Sequence, residues 1–184
     1  MNDLLPIFMK LNSQSCLVVG GGKIALQKIQ QLLDANAKIT VISPEIIDEL
    51  ISLPINIFNR SYNSSDIVGK KIVIAATDDE MINNLVHEDA TKNGIPINVV
   101  DQPELCSFYM GSVYKDGDLK IAISTNGKCP SFGTYLKDYF KNMSHDSWGR
   151  VLKELAIKRE NVIQRLKTYA EKKEIMGEIV KNVL

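Results

Sequence analysis

Ser15-Cys16-Leu17-Val18-Val19-Gly20-Gly21-Gly22-Lys23-Ile24-Ala25 is the stretch on which the fold turns. A short apolar run meets three glycines, after which Leu26, Ile29, Leu32 and Leu33 recur at helical spacing. That order predicts a strand, a tight turn and a helix that ends near Asp34-Ala35-Asn36. A second strand, Lys38-Ile39-Thr40-Val41-Ile42-Ser43, stops at Pro44. The whole has the length of a right-handed crossover between two parallel strands.

The pattern continues outward from there. Ile55-Asn56-Ile57-Phe58, Lys71-Ile72-Val73-Ile74-Ala75-Ala76 and Pro96-Ile97-Asn98-Val99-Val100 read as further strands. Asp78-Asp79-Glu80 opens the helix before the last of them, with Leu85, Val86 and Ala90 expected to face the sheet. Strands that alternate with helices predict an α/β fold, a Rossmann-like doubly wound parallel sheet.

Gly20-x-Gly22-x-x-Ala25 fits the dinucleotide fingerprint, and it stands between a strand and a helix, where that pattern has meaning. Glycine permits the turn, Gly22 lets the backbone approach a pyrophosphate, and Ala25 lets helix and strand pack closely. Free amides at the start of the helix, from Gly20 and Gly21 through Lys23 and Ile24, then face the phosphates. The acidic residue expected after the second strand is replaced by Ser43-Pro44-Glu45, so Ser43 or Glu45 must meet the ribose. No Arg follows at once to attract a 2′-phosphate, which favours NAD over NADP.

Asp101 closes the fifth strand, where a doubly wound sheet presents side chains to ligands. An aspartate there can act as a base or hold a substrate NH. It can equally cap the following Gln102-Pro103-Glu104.

Beyond Asp101 the alternation breaks. Val113-Tyr114-Lys115 and Leu119-Lys120-Ile121-Ala122-Ile123-Ser124 flank Asp116-Gly117-Asp118 as an antiparallel hairpin with little else to cover its edges. A polar loop, Thr125-Asn126-Gly127-Lys128, leads to a helix from Pro130. From Ser147 onward three apolar stripes, through Val151, Leu155, Val162, Leu166, Tyr169, Ile175, Ile179 and Val183, predict a small helical unit. The resulting parts are 1–112, a nucleotide domain; 113–146, a middle segment; and 147–184, a helical domain.

Composition narrows the partners. The chain of 184 residues carries 22 basic and 22 acidic side chains, with 8 against 13 up to Ser112 and 14 against 9 beyond it. The basic surplus suits an anionic partner or simply solvated helix faces. Without aromatic and basic residues interleaved, nucleic acid is not expected. No apolar run reaches the ~20 residues that span a bilayer, and Met1–Lys10 carries Asp3 where a signal peptide has positive charge, so a cytoplasmic protein without membrane contact is expected. Cys16, Cys106 and Cys129 form no CxxC pair and read as reduced, packed thiols, with no metal site. His87 and His145 read as surface histidines and Trp148 as a packing anchor.

With these residues in view the sequence resembles the precorrin-2 dehydrogenases, which form the N-terminal module of siroheme synthase and also occur as separate small proteins. The resemblance rests on Leu5-Pro6-Ile7-Phe8, Val18-Val19-Gly20-Gly21-Gly22, Ala75-Ala76-Thr77-Asp78-Asp79, Asn98-Val99-Val100-Asp101, Pro103-Glu104-Leu105-Cys106 and Ile121-Ala122-Ile123-Ser124-Thr125. It implies NAD-dependent oxidation of precorrin-2 to sirohydrochlorin, with Asp101 as the catalytic aspartate and Thr77 beside the cofactor. It also implies a homodimer that exchanges the middle segment, and a helical domain over the active site. A polycarboxylate tetrapyrrole calls for cations, and Lys128, Lys137, Arg150 and Arg159, with Ser124, are the candidates. Asn126 stands for a usual glycine, Cys129 for a serine and Gly111 for a proline, while Thr134 and Lys137 stand where arginines are common. Two rival expectations are a protein that also inserts ferrous iron into sirohydrochlorin and a non-catalytic NAD-sensing module.

Overall fold

The computed structural model describes residues 4–143 and 147–183. The first three residues, His145, Asp146 at the end of the middle segment, and Leu184 lie outside the described residues. The chain divides into two compact units, one running to Met110 and the other starting at Gly111.

The first unit is a five-stranded, all-parallel sheet in the order β3-β2-β1-β4-β5. Its strands are β1 (Ser15–Val19), β2 (Lys38–Ile42), β3 (Asn56–Phe58), β4 (Ile72–Ala75) and β5 (Ile97–Val99). Between them lie α1 (Lys23–Leu33), the single turn α2 (Asp48–Ile51) and α3 (Glu80–Lys92). The Rossmann-like sheet expected from the alternation is therefore present, and strand order reverses between β1 and β4.

Strand periodicity divides the core in two. Cys16, Val18, Ile39, Val41, Ile72 and Ile74 point to one face, where Ala25, Ile29 and Leu32 of α1 close over them. Leu17, Val19, Ile42, Val73, Ala75, Ile97 and Val99 point to the other, against Val86 and Ala90 of α3. Both faces are covered, as parallel sheets require. Helix α1 ends where Asn36 takes a left-handed conformation (φ 55°), and Asp79 caps α3 by accepting from the Met81 and Ile82 amides at 2.9 and 3.2 Å.

One expectation for α3 fails. Leu85 is 38% exposed, and the sheet-facing line instead includes buried Asn83. Asn83 is tolerated there because its amide donates to the Thr77 carbonyl at 3.0 Å and accepts from the Thr77 hydroxyl at 2.8 Å.

In the second unit, β6 (Ser112–Asp116) and β7 (Leu119–Ile123) form the expected hairpin, closed by Gly117 at φ 57°. Helix α4 (Pro130–Met143) packs on it, and α5 (Trp148–Arg165) and α6 (Tyr169–Val183) pack on each other. Asp116 fastens α5 to the hairpin turn: its carboxylate accepts from the Ser147 hydroxyl at 3.1 Å and from the Gly149 amide at 3.0 Å. The three stripes read beyond Ser147 resolve into two helices. Tyr169 and Ile175 are exposed rather than packed, and Trp148 is only half-buried.

Leu17, fully buried at the centre of the sheet, should lose about 2–5 kcal/mol of stability as Leu17→Ala. Leu85→Ala should cost about 1 kcal/mol or less, because its side chain stands largely in water. Urea denaturation of both variants checks the contrast, and equal losses would contradict this assignment of faces.

Candidate functional site

The carboxyl ends of β1 and β4 part at the reversal of strand order, which is where an open α/β sheet receives ligands. Gly20 sits there at φ 121°, and a Cβ on it would lie 2.2 Å from the Ala76 carbonyl oxygen. Gly21 is equally confined, since a Cβ would lie 2.1 Å from the Glu45 carbonyl oxygen. The Ile47 amide donates to the Gly21 carbonyl at 3.0 Å and ties the loop after β2 to the turn. These two glycines thus answer to their protein neighbours.

Gly22 differs. A Cβ there would meet nothing within 4 Å, and its φ of −95° is open to any residue. Gly22 is the N-cap of α1, with no side chain to cap it, and the first helical bond runs from the Leu26 amide to the Gly22 carbonyl. The Lys23, Ile24 and Ala25 amides consequently have no helical acceptor. An open space bounded by free amides at the positive end of a helix fits a diphosphate. Lys23 and Ile24 are exposed beside it, and Ala25 is buried under the helix as its small size allows.

The other nucleotide candidates border the same edge. Ser43 is buried after β2, with Pro44 and Glu45 exposed beyond it. Thr77 follows β4, but its hydroxyl is engaged in its own loop, donating to Asn83 and accepting from the Asp79 amide at 3.2 Å. Its side chain shapes the start of α3.

Asp101 follows β5 at this edge, exposed, with left-handed backbone (φ 60°). Gln102, not Asp101, occupies the N-cap of the short 3-10 turn Pro103–Leu105, and no side chain caps that turn. The capping alternative therefore loses its hydrogen bond. The loop that carries Asp101 is fastened from inside by Cys106, whose Sγ lies 3.1 Å from both the amide and the carbonyl of Val99 and 3.4 Å from the Gln102 carbonyl. Burial pushes the Cys106 thiol up, so it keeps its proton for one of those carbonyls.

Lys28 is the residue that sequence reasoning missed. It is half-buried on α1, where burial pushes its ammonium below the usual lysine range, an effect opposed in part by the nearby Cys106 and Asp101. The signal was available, because Lys28 lies three residues after Ala25, within the stripe Ala25, Ile29, Leu32.

The remaining candidates belong to the second unit. The Ser124 hydroxyl accepts from the Asn126 amide at 3.1 Å in the turn that also carries exposed Lys128. Lys137 lies on α4, 3.6 Å from Asp138, and Arg150 and Arg159 lie on α5. A Cβ at Gly111 would lie 2.2 Å from the Ile123 carbonyl oxygen, so the end of β7 leaves no room for a side chain there.

Two expectations are corrected. Cys129 is exposed rather than packed. His87 is half-buried, with Nδ1 2.9 Å from the Leu105 carbonyl, to which it donates. A concavity of about 330 Å³ beside it, lined by Thr91, Pro96 and Leu105 among others, contains neither the glycine turn nor Asp101. Among the described residues no group of three His, Cys, Asp or Glu side chains is placed to hold a metal, and no helix is long and apolar enough to cross a membrane.

Comparison with known proteins bears on the fold and the family. Residues 7–112 match a family described as putative NAD(P)-binding. A siroheme synthase of Thioalkalivibrio sulfidiphilus is 40% identical over 153 residues, covering 81% of this chain and 31% of the relative. One from Methylobacillus flagellatus is 36% identical over 186 residues, covering 99% and 40%. The chain thus spans about two fifths or less of these relatives. Among solved structures, SirC, a precorrin-2 dehydrogenase, superposes with a TM-score of 0.78 at 25% identity, covering 96% of this chain and 89% of that one.

Gly22→Asp separates the ligand role of the turn from its structural role. The new carboxylate would cap α1 with the amides a diphosphate needs, so stability should hold or rise by a few tenths of a kcal/mol. NAD affinity should fall on the order of a hundredfold or more through charge repulsion and lost donors. Calorimetric NAD binding and a thermal melt on the same sample check both, and unchanged affinity would remove the cofactor assignment.

Proposed function

Because this chain belongs to the precorrin-2 dehydrogenase family, we propose that it oxidises precorrin-2 to sirohydrochlorin with NAD, on the route to siroheme. The observation that carries the reading is the pairing, at one sheet edge, of an open glycine turn with an uncapped Asp101. One holds a diphosphate and the other is left for chemistry.

Gly22 and the amides of Lys23 and Ile24 hold the pyrophosphate, while Ser43, Pro44 and Glu45 take the ribose; Gly20 and Gly21 bring the turn close enough to its neighbours to present them. NAD, when bound, supplies a hydride acceptor. Asp101 takes up the accompanying proton or fixes a pyrrole NH, and Cys106 holds the loop that aims it. Lys28 gives the carboxylate a cationic neighbour in a partly desolvated place. The substrate's carboxylates call for cations, a role for Lys128, Lys137 and Arg150 with Ser124 as a hydrogen-bonding partner. Three free thiols suit a reducing cytoplasm.

The protein acts, in this reading, as a homodimer through segment 113–146. Support comes from α4, where Phe132, Tyr135, Tyr139 and Met143 form one exposed line at helical spacing. A monomer would leave that line in water, and among the described residues no further strand pairs with either edge of the two-stranded sheet. A second copy covers both.

Asp101→Ala should retain NAD affinity and lose about 10²–10⁴-fold in precorrin-2 oxidation, measured anaerobically. Wild-type turnover in a folded variant would remove the catalytic role. Tyr135→Glu should convert the dimer to a monomer in light scattering at micromolar concentration, and a wild type that is already monomeric would contradict the dimer.

A further inference from the structure

Beside the ribose end of the nucleotide site lies a group of side chains with no part in the chemistry above. The sheet register pairs Ile42, last in β2, with Phe58, last in β3, and the Ser43 amide donates to the Phe58 carbonyl at 3.3 Å. The Arg60 amide donates to the same carbonyl at 3.0 Å. Arg60 therefore emerges one strand away from Ser43-Pro44-Glu45, at the same edge of the sheet.

An arginine in this neighbourhood is the usual means of accepting the 2′-phosphate of NADP. Here the guanidinium is turned aside. Nη1 and Nη2 donate to the two carboxylate oxygens of Asp66 at 2.8 and 2.6 Å, and Nη1 donates also to the Ser61 carbonyl at 3.0 Å. The group lies 5.5 Å from the centre of the Phe58 ring. This fork-to-fork pair has the donor geometry that a phosphate would need.

The two partners are not equally fixed. The Asp66 side chain is 12% exposed and accepts from the Asn63 amide at 2.8 Å, as part of a capped 3-10 turn at Ser64–Ile67. The Arg60 side chain is 45% exposed and is the one free to swing. Arg60 beside it holds the Asp66 carboxyl below the usual carboxylate range, so the pair persists at neutral pH.

We propose that Asp66 sets cofactor preference by occupying Arg60, so that the site takes NAD and turns away the 2′-phosphate of NADP. The proposal rests on the nucleotide reading of the glycine turn. Asp66 acts through Arg60 and is a positioning residue. A phosphate could enlist Arg60 only by displacing a carboxylate already bound in the same geometry, and with that carboxylate neutralised the same arginine becomes a phosphate ligand.

Equilibrium binding of NAD and NADP to the full chain tests this in wild type, Asp66→Asn, Asp66→Ser and Arg60→Ala combined with Asp66→Asn. Asparagine keeps an oxygen for the Asn63 amide, and serine gives a second, smaller replacement. Wild type should prefer NAD. Each Asp66 variant should gain about three- to fivefold in NADP affinity, the scale of one exposed ion pair released, with NAD affinity unchanged within error. The double variant should lose the gain, which a merely structural effect of Asp66 would not do. An unchanged NADP-to-NAD ratio in both Asp66 variants, or a gain that survives without Arg60, would overturn the proposal. A wild type that binds neither nucleotide would instead overturn the glycine-turn reading, and this proposal with it.

Discussion

The close approach of the β1–α1 turn to its neighbours is the constraint on which the rest of the first unit depends. Gly20 and Gly21 each leave only about 2 Å between a hypothetical Cβ and a backbone oxygen, from Ala76 on one side and Glu45 on the other. Any side chain at either position would push β4 or the loop after β2 away from β1. Those two segments form the flanks of the ligand crevice. Gly22, the third of the run, is under no such pressure and faces open space. The same three letters therefore serve two purposes, two residues for protein packing and one for the ligand.

A comparable division of labour holds at the far edge of the sheet. The segment after β5 returns along that strand and occupies its hydrogen-bonding groups. Ser107 exchanges bonds with Ile97, Asn98 donates to the Phe108 carbonyl at 3.0 Å, and Cys106 meets Val99. An edge strand is thereby closed to foreign pairing. The closing segment also fixes the loop on which Asp101 stands. Fold protection and placement of the reactive group come from one short stretch, Asn98 to Phe108.

Much of this was legible because parallel strands buried on both faces read as apolar runs, and because glycine and proline mark their ends. The strand series, the hairpin and the start of α4 followed from such local signals. What was not legible depended on partners distant in sequence. Asn83 takes a core position because Thr77 satisfies it, and Leu85 is displaced to solvent, so hydrophobicity alone misjudged the face of α3. Lys28 lay in the apolar stripe of α1 and went unread, because its electrostatic partners Cys106 and Asp101 stand far from it in sequence. Beyond Ser147 the apolar positions are sparse and either half-buried or exposed, so the periodicity could mark helices without fixing their number. The roles of Ser124, Lys128, Lys137 and Arg150 came from resemblance and substrate charge; their positions in the second unit follow local turns and helices.

The central claim is that the open glycine turn and Asp101 serve one oxidation, rather than nucleotide sensing alone. Anaerobic incubation of the wild-type protein with precorrin-2 and NAD, following NADH and sirohydrochlorin together by absorbance, tests it most directly. Both products should appear in equal amounts over many turnovers. Tight NAD binding with neither product formed would contradict it.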